Sequence, residues 1–112
     1  MTNVFSFRRH ERKIVIEGKM YMLLCTEEVG EALDRASQEA RELAGEVAAR
    51  LAGTDDIKAL YERAFDAALG KEATDEILRE HTMDIYDYDD LARFLVAQYT
   101  AYHAEERIKP AE

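Results

Sequence analysis

Chemistry in this chain would have to come from three histidines, one cysteine and an excess of carboxylates. His10 sits in a basic stretch, His81 at the end of a short helical pattern, and His103 late in the last one. None has a second His or Cys at ligand spacing. His103 and Glu106 stand one helical turn apart, but two ligands do not make a zinc site. Cys25 has no cysteine to pair with and reads as a small buried hydrophobe at a strand end. The segment Asp84-Ile85-Tyr86-Asp87-Tyr88-Asp89-Asp90 is acidic enough to raise calcium. It lacks the central glycine and closing glutamate of an EF-hand loop, and aspartates there suit a helix start. No glycine-rich phosphate loop or nucleophile elbow occurs.

Glu28 and Glu31 are one turn apart, a spacing that suits a hard cation because both carboxylates project to one side. The run Glu27-Glu28-Val29-Gly30-Glu31 resembles the first acidic motif, E-x-x-E, of the all-helical MazG-type nucleotide pyrophosphatases. That resemblance implies magnesium held by this pair and a later E-x-x-D. The only later E-x-x-D here, Glu72 to Asp75, is too distant along the chain and falls at a helix start. Solvated first-turn glutamates are the competing reading. The sequence thus assigns no catalytic residue, no metal ligand and no cofactor.

A length of 112 residues is that of one domain. A hydrophobic fraction of 47% and a charged fraction of 35% fit a soluble globular protein. No apolar run is long enough for a membrane span, and Met1 to Lys13 does not read as a signal peptide. A single cysteine fits a reducing cytoplasm. Residues 1–24 carry five Lys/Arg against two Glu, a balance of +3, so the chain total of −9 leaves −12 for the remainder. Such acidity disfavours general nucleic-acid binding, which draws on attraction to phosphates. It suits solubility or a basic protein partner. The basic cluster Arg8, Arg9, Arg12 and Lys13 reads as a solvated turn guarding an edge strand, or as a patch for an acidic surface.

The elements that would position any site follow in order. Residues 4–25 read as an antiparallel β meander or hairpin, with Ile14 and Ile16 on one face and Val15 on the other. Gly18 as the first residue of a two-residue loop predicts a type II′ turn. One face is expected to pack on the long helix that follows, and the other to be covered by a partner or a second copy. Residues 26–52 form that helix, capped by Thr26 and ended by Gly53. Its stripe is Val29, Leu33, Ala36, Ala40, Leu43, Val47 and Leu51. Alanines recur every fourth residue from Ala32 to Ala52, allowing close approach of another backbone, within the chain or between subunits. Helices at 54–69, 74–81 and 87–107 complete the pattern, the 74–81 helix capped by Thr74, with Pro110 preventing continuation of the last. The fold class is α+β: an N-terminal hairpin or meander, a long helix, and a bundle of about four helices.

The order of these elements carries a second resemblance. The stretch I-x-I-x-G-K-x-Y-x-L comprises Ile14, Ile16, Gly18, Lys19, Tyr21 and Leu23. A long helix follows it, then a helix ending in Leu69-Gly70, the acid-rich Thr74 to Leu78, and a Tyr-rich last helix. Over nearly the full length this is similar to the small tail assembly chaperones of long-tailed bacteriophages and prophages. The resemblance implies a non-enzymatic cytoplasmic protein that self-associates, coats the tape-measure protein and brings tail-tube subunits to it. A holding surface for such a partner is expected on the stripe of Val29, Leu33, Ala36, Ala40, Leu43, Val47 and Leu51, backed by Met20, Met22, Tyr99 and Tyr102. A generic oligomeric α+β adaptor or regulatory protein is the alternative.

Overall fold

A computed structural model describes residues 3, 5, 9–48 and 53–108; for residues 46–48 and 108 it describes the backbone alone. The elements are strands β1 (Glu11–Ile16) and β2 (Lys19–Leu24), then helices α1 (Glu27–Ala48), α2 (Thr54–Leu69), α3 (Lys71–Glu80) and α4 (Ile85–Ile108). The fold is α+β, a two-stranded antiparallel hairpin followed by four helices. Among the described residues no helix is long and apolar enough to cross a membrane.

The hairpin pairs Glu11 with Leu24, Lys13 with Met22 and Ile16 with Lys19. Of the expected 4–25 meander, residues 4 and 6–8 lie outside the described residues, and Glu11 and Arg12, in the basic stretch that fits a polar turn or a strand edge, belong to β1. The turn also differs from expectation. Its central residues are Glu17 and Gly18, with φ of 50° and 79°. Positive φ at both positions is the type I′ geometry, whose twist matches that of the flanking strands. Gly18 is therefore the second central residue, and β2 begins one residue earlier than a Gly18-Lys19 loop would allow.

Thr26 caps α1 as expected, its Oγ1 accepting from the Val29 N–H at 3.4 Å. α2 runs over the expected 54–69, and its buried side chains Ile57, Leu60, Tyr61, Ala64, Phe65 and Ala68 keep helical spacing. Gly70 then serves two helices: at φ 90° its N–H donates to Asp66 O at the end of α2, and its carbonyl accepts from Thr74 N at the start of α3. Helix α3 thus starts at Lys71, not at Thr74, which lies inside it and donates its hydroxyl back to Gly70 O at 3.0 Å. α4 begins at Ile85, two residues before the expected start. Asp84 and Asp87 exchange bonds there: the Asp84 N–H donates to Asp87 Oδ2 at 3.0 Å and the Asp87 N–H to Asp84 Oδ1 at 2.9 Å. This reciprocal arrangement satisfies orphan N–H groups in the first turn.

The hairpin does not sit on α1 as its main support. β2 packs against α2 and β1 against α4, while α1 packs mainly against α2 and also against α4. One core joins all three layers: Ile14 and Leu23 from the hairpin, Val29, Leu33, Ala36 and Ala40 from α1, Phe65 and Ala68 from α2, and Tyr88 and Leu95 from α4. The molecule is elongated, 67 × 28 × 18 Å.

Candidate protein-binding face

Strand alternation divides the hairpin into two faces. Ile14 and Leu23 point into the core, buried, with Ile16 and Tyr21 half-buried beside them. The opposite face carries Val15 on β1 and Met20, Met22 and Leu24 at every second residue of β2, exposed by 59, 67, 37 and 39%. Val15 pairs directly with Met20, so the four make one apolar ladder, edged by Lys13 opposite Met22 and Glu11 opposite Leu24.

The ladder rides on a hairpin fastened at several points. Near the turn, Lys19 Nζ donates to Glu76 Oε1 at 2.7 Å and Glu80 Oε1 at 2.9 Å on α3, and the Tyr21 hydroxyl donates to the same Glu76 oxygen at 3.1 Å. The bonds to Glu76 and Glu80 hold the Lys19 ammonium charged well above the ordinary lysine range, and those from Lys19 and Tyr21 hold Glu76 below the ordinary carboxylate range. On the β1 side Arg12 Nε donates to Gln98 at 2.8 Å and its Nη1 to Glu105 at 2.9 Å on α4. At the far end the Cys25 N–H donates to His10 O at 2.7 Å, and the Tyr102 hydroxyl donates to Arg9 O at 3.1 Å. His103 Nε2 lies 2.8 Å from Cys25 O, where its N–H tautomer donates.

The sequence-derived surface is split by this arrangement. Met20 and Met22 lie on the exposed ladder. Val29, Leu33, Ala36 and Ala40 do not form a surface: they are core residues, 3 to 6% exposed, covered by the chain's own helices. The reason is that α2 and α4 both reach the stripe, which a count of α1's apolar width alone does not reveal. Leu43 is partly buried against the same core. The Val47 side chain and Leu51 lie outside the described residues. Tyr102 is buried, and Tyr99 is half-buried with its ring 4.5 Å from that of His103. Val15 lies on the outer face, opposite Ile14 and Ile16, as expected; Leu24 joins it there, and the period-two step from Met20 through Met22 to Leu24 is its sequence signal.

Cys25 is fully buried, and that burial pushes its thiol up to about 11, so it stays protonated. Glu28 and Glu31 are exposed on α1, and Glu72 and Asp75 are exposed on α3. Among the described residues no three or more His, Cys, Asp or Glu side chains form a group that could hold a metal ion. In the 84–90 segment Asp84 and Asp87 cap α4, and Asp89 accepts from the Tyr61 hydroxyl at 3.0 Å and from Arg93 at 2.8 Å. Burial, then the bond to Asp89, pushes the Tyr61 phenol up to about 12. Tyr88 is buried and donates to Glu62 at 2.7 Å.

These features define the chain as an α+β protein that presents an apolar, hydrogen-bond-anchored β face. No protein family, curated protein or solved structure matches it.

Proposed function

We propose that this chain is a non-enzymatic binding protein of phage tail morphogenesis, holding an apolar segment of the tape-measure protein on the outer face of its hairpin and serving tail-tube subunits during assembly. The exposed ladder of Val15, Met20, Met22 and Leu24 carries this reading. These side chains contribute little to the chain's own core, yet they are contiguous and of one kind. Contiguous exposed apolar surface is a recurrent feature of protein-binding sites. Methionine adapts its unbranched chain to varied partners, which suits a protein that must hold a long, changing helical surface. The tail-specific part of the proposal comes from the resemblance in element order. The net charge of −9 keeps such a complex in solution, and a cytoplasmic site of action follows from the same role.

The test is co-expression with a tape-measure protein, which on this reading is encoded by a neighbouring gene. The chain should raise the soluble fraction of that protein, and Met20→Glu with Met22→Glu should abolish the rise while the variant remains folded. An unchanged soluble fraction with the double variant would remove the face from the binding site. If instead the wild-type chain self-associates through this face and leaves the tape-measure protein insoluble, the oligomeric adaptor reading replaces the tail-specific one. Release of pyrophosphate from a nucleoside triphosphate with magnesium, lost in Glu28→Gln and Glu31→Gln, would replace both with an enzyme.

A further inference from the structure

A cleft of about 660 Å³ opens between the hairpin turn, the end of α3 and the start of α4. Its floor is apolar: Ile77 is buried there, and Ile16, Met83, Leu91 and Phe94 are half-buried. Its rim is acidic, with Glu17, Glu80, Asp87 and Asp90, and no lysine or arginine lines it among the described residues. The Glu80 charge is met by Lys19 at 2.9 Å. Asp87 accepts from the Asp84 N–H, and Glu17 and Asp90 are exposed. The sign is not merely that of an acidic chain. A second groove of about 630 Å³, on the other side of α4, is lined by Arg41 and Arg93 and a single carboxylate, Asp89, which Arg93 meets at 2.8 Å.

A half-exposed apolar floor and a rim of like charges are both relieved by one kind of ligand. It must bring apolar side chains and cationic heads together. Lysine and arginine do so well, because their aliphatic stems lie along apolar surface while the heads meet carboxylates. We infer that this cleft docks an amphipathic, lysine- or arginine-bearing segment of a protein partner. Val15 lines the cleft and also belongs to the outer ladder, so the two apolar surfaces meet at that residue. The inference stands on the cleft alone and does not require the tail-assembly reading.

The experiment measures fluorescence anisotropy of a labelled amphipathic Leu/Lys helix, with its Leu/Glu counterpart as control, against the full chain. The Leu/Lys helix binds and the Leu/Glu helix does not. Glu17→Lys with Asp90→Lys weakens binding by about tenfold or more. Asp34→Lys with Glu42→Lys, an equal charge change on the exposed face of α1, stays within about twofold of wild type. All four substituted residues are exposed, and circular dichroism confirms that each variant keeps its fold. Absence of Leu/Lys binding overturns the inference. So does an equal loss from both charge pairs, which would show that the peptide reads only the net charge. Loss of binding in Met22→Glu would move the site to the ladder and overturn it as well, whereas failure of tape-measure solubilisation leaves the cleft unaffected.

Discussion

Glu17 is the only non-glycine residue with positive φ among the described residues, and it stands at the first central position of a type I′ turn. An L-residue with a branched-off Cβ is disfavoured there by about 1–2 kcal/mol, and asparagine relieves part of that. Glu17→Asn should therefore stabilise the chain by up to about 1 kcal/mol, read as a raised urea midpoint at unchanged slope. A midpoint equal to or below wild type would show that the Glu17 side chain contributes more than its backbone loses. This residue also marks a limit of sequence reading. Glu-Gly is a weaker turn signal than Asn-Gly, and Gly18 fits equally as the first residue of a type II′ loop. Only the pairing of Ile16 with Lys19 decides between them. Cys25 was legible by contrast, because a lone cysteine ending an apolar run has few alternatives to burial, and it is fully buried.

The contact between α1 and α4 depends on a missing side chain. A Cβ added at Gly30 would lie 2.6 Å from Tyr99 Cζ, closer than real Cβ contacts come. Helix propensity alone favours alanine over glycine by about 1 kcal/mol. The overlap should reverse that sign: Gly30→Ala pushes the Tyr99 ring off His103 and costs about 1 kcal/mol or more, as overpacking does. In a Tyr99→Ala background the same Gly30→Ala change should stabilise. A double-mutant cycle in urea reads the coupling, and additive effects would rule out the steric account.

Between the hairpin and α3 the fastening is ionic and has a pH signature. The Glu76 carboxyl is held below its ordinary range in the folded chain by Lys19 and Tyr21, so its contribution is present above the unfolded value of about 4.3 and is lost as pH falls through the folded value. Lys19 is held above its ordinary range, so its contribution is complete at neutral pH and is lost only as pH rises through that raised value. The stability gap between wild type and Glu76→Gln should be constant around neutrality and close in acid. A gap that widens in acid would assign the ion pair no such role. These contacts join residues 55 or more positions apart, which is why no local pattern announced them. Helix α2 was readable to the residue because acidic first-turn residues and Gly70 bound it on both sides. The start of α3 was not, since Gly70 closes one helix and opens the next, and a threonine that looks like a cap bonds backward inside the helix instead.

At the scale of the molecule the question is which apolar surface serves folding and which is left over. The radius of gyration is 16.5 Å, against about 13 Å for a compact chain of this length. An elongated body has more surface to cover with the same core. The sequence showed α1 as a long apolar stripe but not its coverage, because coverage depends on where α2 and α4 lie. With both packed on it, Leu33 is 3% exposed, and the surplus apolar surface falls on the hairpin, where Met22 is 37% exposed. The two residues should therefore respond oppositely to substitution. Leu33→Ala should cost about 2–5 kcal/mol, a large part of the stability of a domain this size. Met22→Glu should change stability by no more than about 0.5 kcal/mol, as surface substitutions do. Urea unfolding of both variants measures the difference directly. If Met22→Glu destabilised the chain as much as Leu33→Ala, the outer ladder would be structural surface, completed by contacts within the chain or by a second copy at assay concentration. Repeating the melt over a range of protein concentrations separates those cases, because only self-association makes the midpoint depend on concentration.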